Sequence, residues 1–198
     1  PAHPKAESVH VLVRGRGQVV KKPDHVIQEA VPSLILPFAG SPPRKFDLRF
    51  YASLTVLPDG SSQIITDDDA YMKFSSSAYV QGRASTEITN VARQDPNGYK
   101  KCLCMLSKYR ERDLIHLVPL MKDYAADALQ TCFDKFVDGK SMFRGSTTTK
   151  IYGFDFIVTE DGLDVKLLEM NAQPGVKGRI TLGPFNPLPL VPALVGKL

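Results

Sequence analysis

Residues 151–171, IYGFDFIVTEDGLDVKLLEMN, narrow the fold more than any other stretch. Apolar, β-branched and aromatic residues run from Ile151 to Val158 and again from Val165 to Met170, with Asp161-Gly162 between them. Two such runs around a turn signal predict an antiparallel hairpin whose side chains alternate between two faces. The polar residues do not suit an ordinary hairpin. Asp155 lies among Phe154, Phe156, Ile157 and Val158, and the second strand ends in Glu169-Met170-Asn171.

Directly opposed residues of an antiparallel pair point to the same face. Asp155 therefore shares a face with Glu169 and Asn171 only where paired residue numbers sum to an even value. A two-residue Asp161-Gly162 turn would pair 160 with 163 and split them. A three-residue loop at 160–162 would pair 159 with 163 and set Gly162 at the left-handed third position. The three-residue loop is the expectation, and Glu169 then shares its face with Leu167 as well as Asn171. Clustered carboxylates repel unless one is protonated or a cation joins them. Two carboxylates and an amide oxygen are hard ligands suited to Mg2+ or Mn2+, with phosphate oxygens and water completing the shell. The alternative is a solvated polar face, and the flanking Phe154, Phe156, Leu167 and Leu168 weigh against it.

A second hairpin is predicted in RKFDLRFYASLTVL, turned by Pro58-Asp59-Gly60-Ser61 and returning over Ser62–Thr66. Its first strand sets Lys45, Asp47 and Arg49 on one face and Phe46, Leu48 and Phe50 on the other. Two cations at that spacing can hold phosphate oxygens, Arg49 with a planar fork and Lys45 as a point charge. An exposed charged face is an equally ordinary reading of this strand alone. Tyr71–Phe74 reads as a short strand, Glu87–Asn90 as short and extended, and SLILPFAGSPP as loop. Strand segments are also predicted at Val9–Val13, Gln18–Val20 and His25–Gln28, with RGRG as a glycine turn. The best helix is Leu117–Asp138. Leu117, Leu120, Met121, Tyr124, Ala125, Ala128, Leu129, Cys132, Phe133 and Phe136 recur at helical spacing, and Gly139 stops it. Strands with few helices and no βαβ alternation predict an α+β, mainly antiparallel sheet with flanking helices.

The net charge of +4 comes with no Lys/Arg run, which argues against nucleic acid as partner. No apolar run approaches the ~20 residues of a membrane span, so no membrane is expected. Cys102, Cys104 and Cys132 are an odd set without a partner Cys/His pair, which suits reduced thiols and a cytoplasmic setting.

In combination these stretches carry a resemblance. GFDFIVTEDG…KLLEMNAQPG resembles the C-terminal signature of the ATP-grasp superfamily, and VIQEAV, RKFDLRFY and EITN stand in the order found in the tubulin–tyrosine ligase-like family. The resemblance runs from about residue 11 to 175. It implies an ATP-grasp-like fold, with residues 1–40 a remnant of the central domain, 41–198 the C-terminal catalytic domain and the N-terminal lobe missing. It implies Mg2+ on Asp155, Glu169 and Asn171. ATP would be bordered by Gln28 and Ala30 and bound by Lys45, Asp47 and Arg49, with Thr89 and Asn90 facing the ATP and acceptor region. Lys73 falls where the family often has an Arg gripping a substrate carboxylate, and Ala30 replaces the usual hinge aromatic.

The implied activity is ATP-dependent ligation of an amino-acid co-substrate to tubulin or another acidic-tailed protein. Activation of a carboxylate as acyl-phosphate and attack by an amine would need no side-chain nucleophile, with Arg49 and Lys73 as the catalytic contacts. Two other readings stand beside it: a ligase of small amino acids or peptides, and a non-catalytic binding domain that kept the fold.

Overall fold

The computed structural model describes residues 31–87, 89, 103–137 and 147–174. Among them, seven strands form one sheet in which every pairing is antiparallel: β1 (Ile35–Phe38), β2 (Ser41–Val56), β3 (Ser62–Thr66), β4 (Tyr71–Phe74), β5 (Leu103–Met105), β6 (Thr148–Val158) and β7 (Val165–Asn171). The central order is β5-β4-β2-β6-β7. The long strand β2 is its spine. β6 pairs with it from Leu48 to Val56, while β4 and then β3 occupy the opposite edge. The helical parts among the described residues are α1 (Ala84–Glu87), a single turn, a 3-10 turn at Leu106–Lys108, and α2 (Leu117–Val137). This is the α+β, antiparallel architecture that the sequence predicts.

The alternation of β2 divides the sheet into two chemically different faces. Phe46, Leu48, Phe50 and Ala52 join Met72, Phe74, Phe154, Phe156 and Val158 in the main core, nearly all without solvent exposure. Helix α2 covers this face. Leu117, Met121, Ala125 and Leu129, four apart on the helix, are fully buried, and the Tyr124 ring lies against Phe156. Leu120, Ala128 and Phe133 flank them. The predicted stripe is core from Leu117 to Phe133, with Tyr124 at its exposed edge and the Phe136 side chain outside what is described, and Pro119 sits in the first turn, where a missing N–H costs nothing. Among the described residues no helix is long and apolar enough to cross a membrane.

Two local expectations change. SLILPFAGSPP is not loop: β1 pairs with the start of β2 through a two-residue turn in which Ala39 and Gly40 both have positive φ, 51° and 72°. That backbone suits a hairpin turn, but alanine does not advertise it as Asn or Gly would. Glu87 is not extended; it closes the helical turn α1. The segments predicted at Val9–Val13, Gln18–Val20 and His25–Gln28, the RGRG turn and the Gly139 stop lie outside the described residues, as does the 1–40/41–198 division up to residue 30.

The β6–β7 hairpin reaches its predicted clustering by a different route. The expected three-residue loop does not form. Thr159 N–H donates to Asp164 at 2.9 Å and Gly162 N–H to Thr159 at 2.8 Å, leaving four residues, 160–163, in the loop. Gly162 is left-handed, at φ 77°. Val158 pairs with Val165, Ile157 with Lys166 and Phe156 with Leu167, all odd sums. A β-bulge then intervenes, and Asp155 pairs with Glu169 and Gly153 with Asn171, both even sums. One extra residue, Leu168, turns the strand over. Leu167 therefore opposes core-facing Phe156 and does not share the face of Glu169. Without the bulge, Glu169 and Asn171 would lie on the core face with Val165.

Candidate functional site

The second face of the sheet carries the chemistry, and the register explains its composition. Arg49 lies opposite Tyr71 on one side and Asp155 on the other; Asp155 lies opposite Glu169; Asp47 lies opposite Lys73. Each is a direct cross-strand neighbour, the closest approach two side chains can have in a sheet. Tyr51 and Tyr71 continue this face, with their hydroxyls 3.2 Å apart beside Met105, Leu103 and Ile151.

Asp155 is the hub. Arg49 donates from Nε to its Oδ1 at 2.6 Å and from Nη2 to its Oδ2 at 2.7 Å. Lys73 Nζ donates to Oδ1 at 2.9 Å, and Asn171 Nδ2 to Oδ2 at 3.3 Å. Asn171 Nδ2 also lies 3.1 Å from Glu169 Oε1. Lys73 Nζ stands 3.1 Å from Asp47 Oδ2, which also accepts from Thr89 Oγ1 at 2.9 Å. Asp47 Oδ1 is buried and has no partner among the described residues.

The two buried aspartates are pushed apart in acidity. Burial raises the Asp155 carboxyl, but Arg49's hydrogen bonds and the charges of Lys73 and Arg49 outweigh that and hold it below the ordinary range. Burial likewise opposes charge on Arg49, and Asp155 more than compensates, raising it. Asp47 is pushed up to about 6: burial dominates, Lys73 pulls it down, and the nearby charge of Asp155 pushes it up again.

The folded state holds the Asp47 proton more tightly than the unfolded state does, so stability falls as pH rises from about 4 to about 6. The loss above pH 6 is roughly 3 kcal/mol for a fully buried group displaced from 3.8 to about 6. Asp47→Asn is thus expected to raise Tm at pH 8 and to leave it nearly unchanged at pH 4. Thermal unfolding of both proteins across that range checks this, and an equal effect at both ends would contradict it.

Lys45 is engaged elsewhere. Its Nζ pairs with Glu87 Oε2 at 2.7 Å, and Tyr79 donates to Glu87 Oε1 at 2.9 Å. Burial raises Glu87, but the hydrogen bonds from Lys45 and Tyr79 prevail and lower it. Gly153 completes the face. A Cβ there would lie 2.7 Å from Pro174 Cβ and 3.2 Å from Arg49 Nη1, so any side chain must displace one of them. A glycine inside a strand is the sequence signal of such a close approach, and it could have marked Gly153. Nothing in the sequence singles out Glu87 as the partner of Lys45, because they are brought together across 42 residues.

The structure therefore brings together Asp47, Arg49, Lys73, Thr89, Asp155, Glu169 and Asn171, while Lys45 pairs with Glu87 instead. Gln28, Ala30 and Asn90 lie outside the described residues. Among the described residues no three His, Cys, Asp or Glu side chains converge as a cage. Two carboxylates and an amide nevertheless fit a hard cation that shares its shell with phosphate and water. Asn171 turns its NH2 toward both carboxylates; turned over, the amide presents an oxygen.

The tubulin-tyrosine ligase family model matches residues 9–182. No curated protein matches the chain.

Proposed function

The chain belongs to the tubulin-tyrosine ligase family, and on that premise we propose that it is an ATP-grasp domain that joins an amino acid to a protein carboxylate or terminus at the expense of ATP. The observation that carries this reading is the bulged register that sets Asp155, Glu169 and Asn171 on the face of Arg49 and Lys73. Asp155, Glu169 and Asn171 would hold Mg2+ or Mn2+, which neutralises phosphate charge during phosphoryl transfer. Lys45 and Arg49 bind the phosphate end of ATP, with Asp47, Thr89 and Asn90 around it and Gln28 and Ala30 at the base.

Lys73 and Arg49 orient the carboxylate group. Lys73 offers three donors on a compact charge rather than a planar fork, so it holds a carboxylate with less directional selectivity than an arginine would. These side chains position and neutralise; none forms a covalent bond to substrate. Tubulin tails, being acidic, suit a chain of net charge +4, and they place the proposed setting in the cytoplasm, at microtubules.

A second reading has one observation in its favour. Lys45 and Lys73 are already ion-paired, to Glu87 and to Asp47 and Asp155, as in a domain that kept the fold without turnover. Incubation of tubulin-tail peptides with ATP, Mg2+ and glutamate, glycine or tyrosine, read by mass spectrometry, separates the two. A mass increase of one amino-acid residue that requires ATP is expected. Unmodified peptides with every amino acid tested would favour the non-catalytic domain.

A further inference from the structure

Both oxygens of Asp155 carry two donors each: Arg49 Nε and Lys73 Nζ on Oδ1, Arg49 Nη2 and Asn171 Nδ2 on Oδ2. A cation can hold both oxygens of this carboxylate only by displacing one donor from each. The donors are not equivalent. Arg49 is fixed by two short bonds to the residue directly opposite it. Asn171 has only to turn its amide. Lys73 already touches a second acid, Asp47, across the β2–β4 register, and that acid has an empty buried oxygen among the described residues.

We propose that Lys73 is the site's internal counter-ion, which a divalent cation displaces from Asp155 onto Asp47. The inference rests on the metal site of the proposed function. Lys73's side chain is only 7% exposed, so a displaced ammonium has no water to retreat into and must stay on a carboxylate. Lys73 Nζ already lies 3.1 Å from Asp47 Oδ2, so the shift needs no movement of a strand. Thr89 holds Oδ2 in place, and Oδ1 is open to receive a second contact. Asp47 thus has a use that its burial alone would not suggest: it keeps a charge-bearing place for Lys73 once Asp155 is taken. Cation binding and the position of Lys73 are then coupled, and anything that removes the competitor or its receiver changes cation affinity in opposite directions.

The test is Mn2+ titration of the chain by electron paramagnetic resonance, together with a crystal structure grown with Mn2+. Lys73→Met removes the competitor and should tighten Mn2+ about tenfold, whereas Asp47→Asn weakens the receiving acid and should loosen Mn2+ by about fivefold. In the crystal, Lys73 Nζ should lie beyond hydrogen-bond reach of Asp155 Oδ1 and within reach of both Asp47 oxygens. Should Lys73→Met fail to fold, Asp47→Asn and the crystal decide. Lys73 still on Asp155 beside bound Mn2+, or Mn2+ affinity indifferent to either variant, would overturn the displacement. Those results leave the metal site intact if Glu169→Gln still weakens Mn2+. Mn2+ binding unchanged in Glu169→Gln would instead remove the metal site, and the displacement with it.

Discussion

Asp155→Ala is expected to lose about 3–5 kcal/mol of stability, the cost of breaking a buried ion pair from one side. The reason is what it leaves behind. Arg49 and Lys73, with side chains 13% and 7% exposed, would both lose this acid. Lys73 could fall back on Asp47, but Arg49 has no other ion pair among the described residues. Asp155→Asn keeps an acceptor for Arg49 and should lose less stability. Both variants should lose Mn2+ affinity, since each removes the carboxylate charge. Chemical unfolding and Mn2+ titration of the pair separate structural from ligand-binding roles. An Asp155→Ala protein as stable as the parent would mean that the network does not form as described.

The neighbouring residue should behave in the opposite way. Phe156→Ala is expected to cost about 3–5 kcal/mol, as for other fully buried rings, and to leave Mn2+ affinity of the folded protein unchanged. Phe156 has no solvent exposure and touches the rings of Phe50, Phe154 and Tyr124 on the core face, while Asp155 one residue earlier faces the site. Since whole domains are stable by only ~5–15 kcal/mol, the titration belongs at low temperature. A Phe156→Ala protein that is fully folded yet blind to Mn2+ would show that the two faces are not independent.

These two adjacent residues also show how far the sequence carries. Period-two alternation told the faces of β2 and β6 apart, because core and site chemistry alternate cleanly in KFDLRF and FDFIV. Helix α2 was legible from its stripe for the same reason. The cluster of Asp155, Glu169 and Asn171 is legible in the sequence, but the three-residue loop expected to produce it does not form. A bulge leaves no reliable trace in sequence, and here Leu168 supplies the shift in register that the loop was expected to supply. The ion-pair network was not legible either. That Lys45 meets Glu87 and that Lys73 bridges two aspartates follow from long-range pairing between distant strands and turns, which no local pattern encodes. The β1 hairpin is not legible because its turn uses Ala39, an unusual residue at positive φ.

Glu169 offers the cleanest handle on the proposed metal platform. It is exposed, and its hydrogen bond is to Asn171 two residues away, so Glu169→Gln should leave the fold intact. Thermal unfolding with ATP, in the presence and absence of Mg2+, should show a stabilisation that needs both, of about 3 kcal/mol at a hundredfold excess over Kd, and Glu169→Gln should abolish most of it. An ATP-induced shift that is the same without Mg2+, or unchanged in Glu169→Gln, would contradict a nucleotide-bearing metal site on this face of the sheet.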